Sequence, residues 1–412
     1  MEGYSADRGR PVVVVGAGAA GLLAAYFAAG GGRPVILLER TGTGGRKILI
    51  SGGGRCNVLP ACIDAARYIT DSSPNVLRNV LRSWPDDAQR RFFERDLGVA
   101  LELELGTGKL FPASHRAAEV RDALFRAVRA RGVECRYEAR VLDLEAPAAS
   151  DLPWEVMLEG GARLAAHAVV LATGGLSVPQ TGSTGDGLAI AARLGHTIRP
   201  TYPALTPLTL APPRFAPLAG VSLQVVIRAP GEGEVRGGFL FTHRGYSGPA
   251  VLDISHVAVR ARRAGRPQPL LVQWTELDEP AWQRLLASGP ATVAGVVGRQ
   301  LPDRLARLLL QEAGIAAEQR VAQLGREARR RLIELLVRFP LPYTGDEGYR
   351  KAEVTGGGVA LEEVDPRSLA SRVRPRLFLC GELLDAFGPI GGYNFAWAWA
   401  TGRLAGLAAG AC

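Results

Sequence analysis

The stretch Pro11-Val-Val-Val-Val-Gly16-Ala-Gly18-Ala-Ala-Gly21-Leu-Leu-Ala-Ala25, with Val35-Ile-Leu-Leu-Glu39 downstream of it, decides the fold of this 412-residue chain. Val12–Val15 is a β-branched run of the kind found in strands buried on both faces of a parallel sheet. Leu22–Ala29, rich in Ala and Leu, reads as a helix, and Val35–Leu38 as a second strand. Strand, turn, helix and strand within about thirty residues form a βαβ unit. Its turn is Gly16-x-Gly18-x-x-Gly21. Gly16 permits the tight turn, Gly18 lets the backbone approach a pyrophosphate, and Gly21 lets helix pack on strand. Ala19 and Ala20 then open the helix, whose free N–H groups and positive dipole end suit phosphate. Glu39, at the end of the second strand, is placed to accept hydrogen bonds from a ribose.

The same stretch raises a targeting question. Arg8 and Arg10 precede Val12–Gly32, 21 residues without a charge, the outline of a secretory signal or a short membrane span. The glycines at 16, 18, 21 and 30–32 weaken a continuous spanning helix, and the dinucleotide fingerprint accounts for the first three. No other stretch has the apolarity for a span. Five scattered cysteines, with no Cys-x-x-Cys pair, exclude a disulfide framework and a structural zinc site, so no metal is expected. A reducing, cytoplasmic setting fits. The net charge is +9, from 49 Lys+Arg against 40 Asp+Glu. Only Lys47, Lys109 and Lys351 are lysines. Ten arginines and five acids lie between Trp282 and Pro340, which reads as solvated helix faces and argues little for a nucleic-acid partner.

Along the rest of the chain, Thr41–Asn57 reads as a Gly-rich loop and Tyr68–Leu97 as mainly helical. Ala117–Arg131 is an amphipathic helix, with strands expected at 133–137, 141–144, 154–158 and 168–171. Texture changes at Pro200. Proline is frequent through Pro217, and the runs 223–227, 238–241, 251–254 and 270–274 read as strands of a small β-rich domain. Residues 279–338 read as helical, closed by Pro340 and Pro342, and a Gly-rich segment then returns to the texture of the N-terminus.

The fingerprint alone does not separate FAD from NAD. Later Gly-rich turns favour FAD. Gly45-Arg46-Lys47 follows the second strand, and Ser51-Gly-Gly53-Gly54-Arg55-Cys56-Asn57 is dense in backbone donors and admits a flat ring. Ala172-Thr173-Gly174-Gly175 ends a later apolar strand, and Cys380-Gly381-Glu382 ends another. Gly391-Gly392-Tyr393-Asn394 opens a last helix whose N-terminus suits negative charge on a reduced flavin. A second GxGxxG is absent, so no separate NAD(P)H domain is expected.

These blocks resemble the BaiN-like (YhiN-type) flavoproteins, also catalogued as aminoacetone-oxidase-like FAD-binding enzymes. The likeness rests on Lys47–Asn57, Gly108–Ser114, Ala172–Pro179, Gly182–Gly187, Phe241–Pro249, Val354–Val359 and Gly381–Asp385 through Asn394, spanning residues 11 to 405. The chain departs from the family pattern at three places: Val-Leu-Pro after Asn57, Phe387 and Phe395. The resemblance implies an α/β protein with a Rossmann-like FAD-binding domain of the two-dinucleotide-binding type, an inserted β-barrel-like domain and a helical subdomain. The expected boundaries are 1–195 and 345–412 for the FAD domain, 196–278 for the β-rich insertion and 279–344 for the helices. It further implies that the Val141 backbone meets the adenine and that Glu39 and Arg40 lie at the ribose. Lys47 and Ser51–Asn57 would line the pyrophosphate and flavin, and Glu382 and Gly392–Asn394 the ribityl chain and ring.

The expected chemistry is hydride exchange between the flavin and a small organic substrate, either enone reduction or amine oxidation, with NAD(P)H as a transient reductant. Lys47, His243 and Tyr393 are the candidates for catalytic work. Cys56 reads as a packed residue, His115 and His196 as interfacial or capping residues, Trp397 and Trp399 as packing, and Asp186 as a turn or cap. The competing classes are an RNA-associated flavoprotein of the tRNA-modification type and a flavin-bound protein without turnover. Oligomeric state is left open.

Overall fold

The computed structural model describes residues 9–149 and 151–412; Arg8, noted above, lies outside them. The chain divides into two compact units, 1–202 with 354–412, and 203–353.

The first unit is built on a five-stranded parallel sheet. Its strands are β1 (Val12–Val15), β2 (Val35–Leu38), β3 (Glu134–Arg136), β4 (Ala168–Leu171) and β5 (Leu377–Leu379), in the order β5-β4-β1-β2-β3. Every residue of β1, β2, β4 and β5 is buried, which is why these strands are continuous apolar runs without alternation. Helix α1 (Ala19–Ala28) follows β1, and helix α2 (Tyr393–Gly410) closes the chain.

Small residues let these two helices meet. A Cβ at Gly402, Gly406 or Gly410 would lie 2.3, 2.4 or 2.5 Å from the carbonyl oxygens of Ala20, Ala24 and Ala28 respectively. The step of four on both sides sets the helices parallel, backbone against backbone. Trp397 and Trp399 are buried on α2, and their indole N–H groups donate to the Gly381 and Val58 carbonyls at 3.1 and 3.0 Å. They are packing residues, and they tie α2 to the loops beside the strand ends.

The second unit carries a seven-stranded antiparallel sheet. Its order is 339–340, 271–273, 222–229, 233–241, 245–247, 208–209 and 345–346. An aromatic cluster, Phe215, Phe239, Phe241, Tyr246, Trp274 and Phe339, fills one hydrophobic core together with Trp282, Leu305, Leu309, Leu332 and Leu336 from the helical segment. The expected strand at 251–254 is not there: those residues lie in the helix Pro249–Arg263. Gly248 at φ +94° and Pro249 at the first helical position start it, and Ala250, Val251, Ile254, Val257 and Ala258 are its buried stripe. The short apolar run was half of a 3.6-residue pattern. Thr41–Asn57 is likewise more than a loop, since it contains the helix Arg46–Ile50 and the turn Ser51–Gly54. Among the described residues no helix is long and apolar enough to cross a membrane.

Candidate functional site

The carboxyl ends of the parallel strands gather the sequence-selected residues of the first unit. β1 runs into Gly16, β2 into Glu39, β4 into Thr173–Gly175, and β5 into Gly381 and Glu382. In open α/β sheets ligands bind at this edge.

The three fingerprint glycines are required for different reasons. Gly16 has φ +103°, and a Cβ there would meet the Ala172 carbonyl oxygen at 2.6 Å. A Cβ on Gly21 would fall 1.8 Å from the Gly16 oxygen. Gly16 and Gly21 are thus glycine because the protein's own packing demands it. Gly18 is different: its φ is −81°, open to any residue, and a Cβ would meet nothing within 4 Å. The chain leaves a space at the N-terminus of α1 that its own atoms do not use. A pyrophosphate fits that space and its donors. Gly53 likewise faces open space.

Glu39 is buried and holds the turn. Its carboxylate accepts from the Ala17 N–H at 2.9 Å, the Thr41 N–H at 2.9 Å and the Thr41 hydroxyl at 2.7 Å. The Ala17 carbonyl in turn accepts from Gly45 N–H at 2.8 Å, which fixes the start of the helix Arg46–Ile50. Beside them Asp186 receives Arg140 at 2.9 Å and Arg40 at 3.3 Å, and Arg40 also donates to Thr184. Against the cost of burial, hydrogen bonds from Arg140 and Thr184 hold the Asp186 carboxyl below its ordinary range. Asp186 is therefore an anchor for two guanidinium groups as well as the first residue of its helix. Val141 begins the strand that follows Arg140, and the Ala139 N–H donates to the Glu39 carbonyl at 2.9 Å, so Val141 joins this corner.

Lys47 is not a free surface charge. Its ammonium donates to Glu382 at 2.7 Å and to the Ser177 hydroxyl at 2.6 Å. The other Glu382 oxygen accepts from Ser177 at 2.6 Å and from the Thr355 N–H at 3.0 Å. The Thr355 hydroxyl oxygen accepts from the Leu176 and Ser177 N–H groups at 2.7 and 3.1 Å. Four distant segments thus close one polar network at the strand ends. Gly175 is required beside it, because a Cβ there would lie 2.4 Å from the Thr355 hydroxyl. Ser177 and Thr355 were not singled out from the sequence, although both lie in the blocks that carry the family likeness.

The remaining candidates separate. Arg46 is exposed. Ser51 donates to the Ile48 carbonyl at 2.7 Å, and Arg55 pairs with Glu104 at 2.9 Å over the Phe111 ring. Burial pushes the Cys56 thiol up to about 12, so it is a packed thiol rather than a reactive one. The Asn57 amide, with its oxygen toward Gly392 N–H and its nitrogen toward the Leu59 carbonyl, joins the 51–57 loop to the start of α2. Asn394 bonds the Gly388 backbone on both sides at 2.9 Å. Tyr393 is buried, and its hydroxyl donates to the Cys62 carbonyl at 3.3 Å and accepts from Arg67 at 2.9 Å. Those bonds occupy the hydroxyl in packing. Phe387 is buried and Phe395 stacks on Trp399 at 5.2 Å, so two of the departures from the family pattern are packing aromatics. His243 is exposed and belongs to the second unit.

His196, Glu363 and Ser371 form another polar cluster. The His196 ring is fully buried, with Nδ1 2.9 Å from Glu363 and Nε2 2.9 Å from Ser371 Oγ. The connectivity is that of a hydrolase relay, but Ser371 Oγ already accepts from the Val373 and Arg374 N–H groups at 3.0 and 2.9 Å. With its own proton toward His196, no lone pair is left for attack. Burial holds the His196 pKa below its ordinary value, against the pull of Glu363. The unfolded chain therefore takes up a proton at His196 before the folded protein does. This contribution to stability is full above about pH 6.5 and is lost as pH falls below it. Urea midpoints at pH 7.5 and pH 5.5 should fall with pH in the native protein and fall less in His196→Asn.

The protein-family comparison agrees with this architecture. Residues 10–408 match the model described as the HI0933-like protein Rossmann domain. The chain is 33% identical over 399 residues to the ribosomal RNA dihydrouridine synthase of Escherichia coli, covering 94% of this chain and 95% of that protein. It is also 33% identical over 408 residues to the 3-dehydro-bile acid delta(4,6)-reductase of Clostridium scindens, covering 96% and 98%. Among solved structures, the 3-ketosteroid-delta4-(5alpha)-dehydrogenase of Rhodococcus jostii aligns over 100% of this chain and 99% of its own, with TM-score 0.53 and 15% identity. The 3-ketosteroid delta1-dehydrogenase of Sterolibacterium denitrificans aligns over 98% and 100%, with TM-score 0.54 and 13% identity; at these identities both are likenesses of fold. The chain belongs to the HI0933-like family and is a Rossmann-fold flavin-dependent oxidoreductase.

Proposed function

We propose that this protein is an FAD-dependent reductase that saturates a carbon–carbon double bond conjugated to a carbonyl, with NAD(P)H as the electron source. One observation carries the choice: two full-length relatives with different substrates bear names that describe the same chemistry, a ring double bond becoming saturated. The open cradle at Gly18 supports FAD as the resident cofactor. When bound, FAD supplies two-electron hydride chemistry.

The chain's own residues then have the following roles. Backbone N–H groups from Gly16 to Gly21 hold the pyrophosphate, Glu39 and Arg40 the ribose, and Val141 the adenine. Gly45, Arg46, Ser51, Gly53–Asn57, Thr173–Gly175, Gly381 and Gly391–Asn394 form the walls toward the ring. Lys47, ion-paired with Glu382 and bonded to Ser177, would hold an N–H donor at the strand ends. A donor there would favour an oxygen that gains negative charge on reduction. The residues that would hold FAD lie in the first unit, so the boundaries expected at 195 and 345 move to 202 and 354, and the β-rich and helical segments form one insertion around a single core.

Anaerobic stopped-flow absorbance tests the reading. NADH or NADPH should bleach the bound flavin, and cyclic enones should restore its colour. Reduction by amines with no response to enones would replace it with amine oxidation. A flavin that no acceptor reoxidises would make this a protein without turnover. Lys47→Met should retain FAD and slow enone reduction by about 100-fold, with Lys47→Arg recovering part of the rate.

A second reading, in which the ring is uracil within RNA, is favoured by the names of the relatives from Escherichia coli and Haemophilus influenzae, 33% and 30% identical. It predicts that deleting the gene removes dihydrouridine from ribosomal RNA and that the intact gene restores it. Unchanged modification would leave a free small molecule as the substrate.

A further inference from the structure

An open surface cleft of about 400 Å³ lies at the far end of α1 from the fingerprint turn. Its residues Tyr26 and Phe27 are on the last turn of that helix, Phe27 about 13 Å along the axis from Gly18. Four of its lining residues are aromatic, Tyr26, Phe27, Trp84 and Phe92, and four are arginines. Phe27 meets Trp84 edge-on at 5.8 Å, and Phe92 lies 5.4 Å from both Trp84 and Tyr26. Its size is within the range of small-ligand pockets.

The charges around these rings are uneven. The Arg403 guanidinium is half-buried 5.6 Å from the Phe27 centroid and 5.4 Å from that of Trp84. It donates one long hydrogen bond to the Ser83 carbonyl at 3.4 Å, and no acid pairs with it among the described residues. Arg91 and Arg95, four residues apart where the helix Asp86–Arg91 widens into the π-turn Phe92–Asp96, are exposed on the cleft lining and form no ion pair among the described residues. Arg131 is engaged over the Tyr26 ring at 3.8 Å. Asp96 is the single acid on the lining.

We infer that this cleft binds a small aromatic anion, a flat ring carrying a carboxylate or a phosphate. A half-buried guanidinium without a counter-charge is costly, and an anion offsets that cost. Arginine suits planar, bidentate recognition of either group. The packed rings beside the guanidinium groups offer an apolar edge against which a flat ring gains contact that a spherical anion does not. The π-turn brings Phe92 and Arg95 to the same opening. The site is independent of the flavin chemistry proposed above.

Isothermal titration on the FAD-loaded protein tests it, with benzoate and uridine monophosphate as probes and cyclohexanecarboxylate and inorganic phosphate as the matching halves. At least one aromatic probe should bind, and its matching half should bind at least about 10-fold more weakly. Arg403→Gln should weaken the aromatic probe by about 10- to 100-fold. The exposed double variant Arg91→Ala/Arg95→Ala should weaken it by about 10-fold and flatten its salt dependence. Both variants should keep their melting temperature and flavin content. If Arg403→Gln does not fold, the double variant decides. Binding of benzoate assigns a carboxylate site, and binding of the nucleotide alone a phosphate site. Absence of binding by both probes, equal binding of the cyclohexane acid, or affinity unchanged in the variants would overturn the assignment.

Discussion

Gly18→Asp should fold with an unchanged or slightly raised melting temperature and purify colourless. The φ of −81° admits any residue and no atom lies within 4 Å of the added Cβ, so the fold does not oppose the change. Aspartate is also a favoured residue at the start of a helix, where its carboxylate accepts the free N–H groups. Those are the groups that a pyrophosphate needs, and the new carboxylate repels it. We expect FAD affinity to fall by at least about 100-fold, equivalent to about 3 kcal/mol. Flavin absorbance per mole of purified protein measures it. Gly21→Ala should do the opposite: its Cβ would sit 1.8 Å from the Gly16 oxygen, so the protein should fail to fold whether or not FAD is supplied. A yellow Gly18→Asp protein with full flavin content would show that the space at Gly18 is not the cofactor's.

Gly406→Leu should unfold the first unit or leave it insoluble. The added Cβ would lie 2.4 Å from the Ala24 carbonyl oxygen, in a helix pair where both neighbouring contacts are equally tight. Neither backbone can withdraw without parting Gly402 from Ala20 and Gly410 from Ala28. Overpacking of a core costs about 1–3 kcal/mol when side chains can move, and here the obstacle is backbone, so the loss should exceed about 3 kcal/mol. Leu407 on the same turn is 42% exposed. Leu407→Gln should therefore stay within about 0.5 kcal/mol of the native protein. Urea unfolding followed by circular dichroism separates the two.

The parts of this protein legible in its sequence are those governed by neighbours along the chain. Val12–Val15, Gly16-x-Gly18-x-x-Gly21 and Glu39 lie within one βαβ unit, and period, turn chemistry and strand composition are local properties. The error at 251–254 has the same origin. Three apolar positions in four residues fit a strand as well as a helix, and only the longer stripe through Val257 and Ala258 distinguishes them.

The sequence by itself determined the dinucleotide fold, the strand-end turns and the special status of Lys47 among three lysines. It did not determine what Lys47 does, because its partner Glu382 is 335 residues away and Ser177 is 130 away. The motif assigns Gly16, Gly18 and Gly21 separate roles, but not the distances that distinguish packing from an open cradle. Gly16 is closed in by the Ala172 backbone and Gly21 by the Gly16 carbonyl of the same turn, whereas Gly18 faces open space, and only the folded neighbourhood carries those distances. The cause is the same throughout: chain connectivity writes local geometry into adjacent residues, whereas a polar network or a cradle is formed by groups that packing brings together from far apart.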